Sequence, residues 1–166
     1  MLLEATKVTK VFGGLYANSE IDFSIDEGEI VAIIGPNGSG KTTFYNVLTG
    51  ISPATSGQIL FQGKSIVHMH PEAITRLGMA RTFQNIRLFG NMTVAENIII
   101  ARHCRRKTGI WDALIRSRRL KLEEAENEEY IRKCLEYVGL YDKKDWLAKN
   151  LPYGMQRRLE IARVLA

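Results

Sequence analysis

The sequence predicts an α/β fold with a strand-rich first half and a helical second half. Residues 29–34, EIVAII, form a short continuous apolar run of the kind a buried parallel strand carries. Residues 35–43, GPNGSGKTT, follow at once. Gly35, Gly40, Lys41 and Thr42 satisfy the pattern G-x-x-x-x-G-K-[ST]. Phe44, Val47 and Leu48 then fall at i, i+3 and i+4, and Gly50 is placed to stop a helix. Strand, glycine loop and helix in this order aim the loop amides and the helix N-terminus at one point, which suits an anionic phosphate. Lys41 is placed to reach the outer phosphates, and Thr42 to put its hydroxyl on Mg²⁺.

The other elements follow in chain order. Ile21, Phe23 and Ile25 alternate with polar residues, the period of a half-buried strand. Ile59-Leu60-Phe61, bounded by Gly57 and Gln62-Gly63, reads as another short strand. Pro71 suits the first position of a short helix running to Leu77. Ile131, Leu135 and Val138 make an apolar helical stripe that Gly139 ends. Glu128 with Arg132, and Glu129 with Lys133, are i, i+4 pairs in the favourable orientation. Met155, Leu159, Ala162 and Ala166 share one face of a last helix. Three parts result: 1–82, 83–150 and 151–166.

Composition bounds the class. The 166 residues are 45% hydrophobic and 25% charged, ordinary values for a globular domain. The start, MLLEATK, lacks the apolar core of a secretory signal. No run approaches the ~18 apolar residues of a membrane span. Cys104 and Cys134 stand apart and define neither a zinc site nor a disulfide framework. The net charge of +5 is uneven. Arg102, Arg105, Arg106, Lys107, Arg116, Arg118, Arg119 and Lys121 face only Asp112, and Glu123, Glu124, Glu126, Glu128 and Glu129 follow. Trp111 is the one large aromatic in that stretch and no nucleic-acid motif surrounds it, so the stretch reads as a solvated face and not as a nucleic-acid site. A membrane-facing or partner-facing role is the remaining alternative.

The phosphate loop alone admits several nucleotide-hydrolysing classes. No Asn-Lys-x-Asp segment for guanine is present. LPYGM at 151–155, leading into QRRLEIAR, resembles the signature motif of ABC-type ATPases. RTFQ at 81–84 looks like the Q-loop of that family, and NIRLFGNMTVAEN at 85–97 like its permease-facing segment. VTKVFGGL at 8–15 is similar to the family's start. The sub-family it most resembles is the ATP-binding subunits of branched-chain amino-acid importers; urea and amide importers have similar subunits.

That resemblance implies an ATP-binding subunit that powers an importer by ATP binding and hydrolysis at a dimer interface. It implies a P-loop NTPase core of RecA-like type, an antiparallel β subdomain and a helical subdomain, with the sheet incomplete because the chain ends before the Walker-B strand. Mg-ATP would lie on Gly35, Pro36, Asn37, Gly38, Ser39, Gly40, Lys41, Thr42 and Thr43, with Phe12 stacked on adenine. Lys41 and Gln84 would serve catalysis, and Thr42 and Gln84 the metal. Gly154 would meet the nucleotide of a second ATP-binding subunit. Residues 84–97 would meet transmembrane permease subunits, and a substrate-binding protein would act indirectly. The setting would be cytoplasmic, peripheral on the inner face of the plasma membrane. Pro152 and Met155 depart from the signature's usual serine and glutamine. The Walker-B acids and the switch histidine would follow Ala166; His68, His70 and His103 come too early to be that histidine. A soluble ABC-type ATPase and a truncated, non-catalytic nucleotide-binding protein are the alternatives.

Overall fold

The computed structural model describes residues 1–103 and 118–166, without the side chains of 118–124. Cys104, Arg105, Arg106, Lys107, Trp111, Asp112 and Arg116 therefore lie outside the described residues, as do the side chains of Arg118, Arg119, Lys121, Glu123 and Glu124. The chain divides into two compact units, Met1–Ala80 and Arg81–Ala166.

The first unit is an antiparallel sheet with one helix against it. β1 (Leu3–Phe12) and β2 (Leu15–Ile25) form a hairpin whose register closes at Phe12↔Leu15, leaving Gly13-Gly14 as its two-residue turn. β3 (Ser56–Phe61) pairs with the other edge of β1, and β4 (Lys64–Ser65) extends β3. The sheet order is β2-β1-β3-β4. Helix α1 (Lys41–Leu48) contributes Phe44, Val47 and Leu48 to a core with Leu3, Ala5, Val8, Ile59, Phe61, Ile66 and Ile74. Phe23 from β2 meets Phe44 edge to face, with centroids 5.5 Å apart. A short α2 (Pro71–Arg76) carries proline in its first turn and buries Ile74.

The parallel strand expected at Glu29–Ile34 does not form. These residues take no regular secondary structure. Ile30 is 98% exposed and Ile34 92%, while Ile33 alone packs partly against the core. The physical reason is pairing. A strand exists through hydrogen bonds to a neighbour, and among the described residues no strand lies beside this run.

The second unit is helical. α3 (Val94–Arg102) opens on a capping box: Thr93 Oγ1 accepts from Glu96 N, and Glu96 Oε2 accepts from Thr93 N. α4 (Arg118–Tyr137) and α5 (Tyr153–Leu165) complete it, with 3-10 turns at Tyr141–Lys143 and Ala148–Asn150. α4 ends at Gly139, whose φ of +66° opens the left-handed region. Leu140 N then donates to Leu135 O and Gly139 N to Glu136 O, a Schellman closure that buries Leu140 beside Leu135. Val94, Ile98, Leu135, Leu140, Leu151, Leu159 and Ala162 form the core, with Met155, Ile131 and Val138 packed at its margin. One expected ion pair changes partner. Lys133 does bind Glu129, at 2.7 Å, but Arg132 binds Glu136 at 2.8 Å instead of Glu128.

Candidate functional site

Residues 35–43 turn the chain from the exposed 29–34 run into α1, and their shape follows from one glycine. Gly40 caps the helix at φ +86°, where a Cβ would lie 2.2 Å from Ala17 O and 2.7 Å from Asn18 Nδ2. Only glycine permits both that dihedral and that approach. Asn18 Nδ2 donates to Gly40 O at 3.2 Å and so ties β2 to the loop. Lys41 curls back over the loop. Its Nζ donates to Gly35 O at 2.8 Å, to Pro36 O at 2.6 Å and to Ser39 Oγ at 3.5 Å. Pro36, Asn37, Gly38, Ser39 and Thr42 are exposed, and Thr43 is half-buried.

A cleft of about 320 Å³ opens beside this loop, lined by Ile33 and Ile34, by Gly35, Ser39 and Lys41, and by Asn18 and Phe23 of β2. The parts fit polyphosphate: an ammonium, exposed loop backbone and a helix N-terminus converge there. They fit Mg²⁺ in one respect, the exposed Thr42 hydroxyl, since magnesium takes much of its shell from phosphates and water. No carboxylate lines the cleft among the described residues. Phe12 stands half-exposed at the end of β1, with Lys10 Nζ 4.8 Å from its ring centre, and it is not among the residues lining this cleft.

Gln84 and Gly154 belong to the second unit. Gly154 lies in the first turn of α5, where an added Cβ would meet nothing within 4 Å. Pro152 caps that helix with no side-chain hydrogen bond, and its carbonyl accepts from Met155 N and Gln156 N. Gln84 is exposed, yet its carbonyl is held by Arg157 Nη2 of α5. Arg157 Nη1 donates to Phe83 O at 2.9 Å and to Glu160 Oε2 at 3.0 Å, while Glu160 Oε1 accepts from Phe83 N at 3.1 Å. The hydrogen bond to Tyr153, then that to Glu160, holds the Arg157 pKa above its ordinary value, against burial. Downstream, Arg163 donates to Arg87 O, and burial lowers its pKa. Asn97, fully buried, accepts from Phe89 N at 3.0 Å and donates to Phe89 O at 3.1 Å and to Thr93 O at 2.9 Å.

Asn18, Asn97, Arg157 and Glu160 were not singled out from the sequence. Each has backbone partners, those of Arg157 and Glu160 more than seventy residues away, and a backbone group carries no residue signature. Asn97 alone left a trace, as an uncharged polar residue inside the otherwise apolar NIII segment of α3.

The family described as ABC transporter matches residues 18–166 of this chain. The chain is 40% identical over 164 residues to the high-affinity branched-chain amino acid transport ATP-binding protein LivG of Escherichia coli, across 99% of this chain and 64% of that one. It is 41% identical over 164 residues to the corresponding protein BraF of Pseudomonas aeruginosa, with the same 99% and 64% coverage. A crystal structure of the ADP conformation of an ATP-binding cassette of an ABC transporter superimposes with a TM-score of 0.80 at 32% identity, over 99% of this chain and 64% of that one. The chain thus spans about 64% of the length of the relatives it matches. With the family matched over nearly all of its residues and the fold shared with a solved cassette, the chain belongs to the ABC transporter family.

Proposed function

We propose that this chain is the nucleotide-binding part of an ATP-binding subunit that powers an ABC importer for branched-chain amino acids. The observation that carries the reading is the phosphate loop, with Lys41 gathered onto it, in a chain of this family. The amino-acid assignment rests on the similarity to LivG and BraF. Gly35–Thr43 hold the phosphates of ATP, and Lys41 is the main cation. Thr42 would give its hydroxyl to Mg²⁺, and Gln84 would serve the metal as the family's Q-loop glutamine. Phe12 stacks on adenine. Mg²⁺, when bound, would supply charge neutralisation at the phosphates; this chain's residues bind, orient and shield them.

The complete subunit acts as a dimer in which the partner copy's Gly154 turn closes each site. The exposed first turn of α5 supports this, since helix amides and the helix dipole favour an anion. Residues 84–97 dock on a membrane-embedded permease. Leu88 packs at the core margin and Phe89 is 46% exposed, apolar contacts of the kind found at interface centres. Among the described residues no helix is long and apolar enough to cross a membrane, and a peripheral place on the inner face of the plasma membrane goes with permease docking.

Calorimetric titration of the chain with Mg-ATP tests the reading. Binding should be present, and Lys41→Ala should weaken it about tenfold or more, because a charge-assisted hydrogen bond contributes ~1.5–3 kcal/mol. Equal affinity in a folded Lys41→Ala variant would sink it. With no carboxylate among the described residues that line the cleft, the 166-residue chain should turn ATP over at no more than background. Uptake of radiolabelled leucine by cells that carry the full-length subunit with its permease, lost in Lys41→Ala, is the test of the substrate.

A further inference from the structure

We propose that Arg157 and Glu160 are positioning residues for Gln84: they fix the Phe83–Gln84 backbone to α5, so that residue 84 and the first turns of that helix move as one piece. The proposal rests on the reading of Gln84 as a catalytic and metal-serving group.

Both polar groups of the Phe83 backbone are taken by α5. The amide donates to Glu160 Oε1 at 3.1 Å, and the carbonyl accepts from Arg157 Nη1 at 2.9 Å. The Gln84 carbonyl accepts from Arg157 Nη2. The guanidinium is itself oriented from two sides. Glu160 Oε2 accepts from Nη1 at 3.0 Å, and Tyr153 Oη accepts from Nη2 at 2.8 Å and from Nε at 3.2 Å. The Glu160 side chain is only 7% exposed, and a carboxylate is buried at such depth only when paired and hydrogen-bonded. Three groups of one dipeptide are therefore held by two side chains one helical turn apart.

What the network leaves unheld is as informative. Gln84 is exposed while its backbone is fastened. A fixed main chain that presents a side chain outward is how a protein aims a functional group. Tyr153, whose hydroxyl orients Arg157, is the first residue of α5, next to Gly154. A shift of the helix start is thus carried to residue 84 through a planar fork and not through a flexible tether. Lysine cannot replace that fork, since one ammonium lacks the paired, fixed donor geometry that spans two carbonyls.

Hydrogen exchange on the full chain reads the clamp directly. The Phe83 amide should exchange about tenfold faster or more in Glu160→Ala and in Arg157→Ala. Arg157→Lys, which keeps the charge and guards against a variant that fails to fold, should lose protection to about the same extent. Unchanged Phe83 exchange in Glu160→Ala, or full protection in Arg157→Lys, overturns the proposal whatever the chain does with nucleotide. Turnover of the full-length subunit in its transporter gives the second readout. Arg157→Ala and Gln84→Ala should each lower kcat, and the double variant should be no slower than Gln84→Ala alone. Multiplying losses would show that Arg157 acts apart from Gln84 and would end the proposal. A Gln84→Ala variant with parental turnover would instead remove the assigned role of Gln84, leaving exchange to decide the clamp.

Discussion

Residues 29–34 and 83–92 both lack regular secondary structure, and they could hardly be held more differently. The first is the most strand-like run in the chain, yet Ile30 and Ile34 face solvent and no strand pairs with it among the described residues. The second reads as loop. Its backbone is nonetheless met by Glu160, Arg157, Arg163 and Asn97, and by the amides of Ala148 and Lys149, which donate to Met92 O and Gly90 O. Order in a segment follows from where its N–H and C=O groups find partners, not from whether they find them in a ladder. Side chains can do for a loop what a neighbouring strand does for a strand.

The sharpest way to break this contrast is to remove one anchor. Asn97→Ala removes a fully buried side chain that makes two hydrogen bonds to the Phe89 backbone and one to Thr93 O, and it should cost ~2–4 kcal/mol in urea unfolding. Ile30→Ser removes a side chain that is 98% exposed and should stay within about 0.5 kcal/mol of the parent. Similar losses for the two would mean that the loop is no better held than the unpaired run.

A gentler perturbation acts on association. Ile30→Lys with Ile34→Lys should leave the unfolding midpoint unchanged but reduce self-association in light scattering, because an exposed apolar edge invites strand pairing between chains. No change in scattering would show that the run is harmless as it stands. Smallest is a pH effect at a surface pair. The hydrogen bond from Lys133, then its charge, holds the Glu129 pKa below the ordinary 4.5. A depressed carboxyl stabilises the fold above its unfolded pKa and loses that contribution as pH falls through the folded one. Lys133→Ala should therefore flatten the acid limb of stability slightly below pH 4.5, as thermal melts would show. A steeper limb would contradict this sign.

How much of this was legible in sequence follows from range. The loop at 35–40 and the helix it opens were readable because glycines, lysine and helix are contiguous. The stripe Ile131, Leu135, Val138 and its stop at Gly139 were readable for the same reason. The strand at 29–34 was misread because composition reports what a segment can be, while pairing decides what it is. The anchors at Arg157 and Glu160 were missed because an i, i+3 pair of opposite charge on a helix ordinarily marks a solvated surface, whereas here both reach a main chain more than seventy residues away. Pro152, read as a departure from the signature's usual serine, still gives its carbonyl to two amides of the first turn.

The lysine at the phosphate loop has a consequence for how any affinity is to be understood. Lys41 Nζ is coordinated by Gly35 O, Pro36 O and Ser39 Oγ, much as a small cation would be. Under the proposed nucleotide binding, a phosphate would compete with a cage the chain supplies for itself. On the proposed reading, binding would be a ligand exchange at nitrogen, in which neutral carbonyls give way to charged oxygens, and the free energy measured would be the difference between the two coordination sets. Substituting Lys41 would change both sides of that exchange, since it would remove the attraction to phosphate and also release the Gly35 and Pro36 carbonyls. Lys41→Arg separates the two: it keeps the charge but carries a planar group that the small cage cannot enclose in the same way.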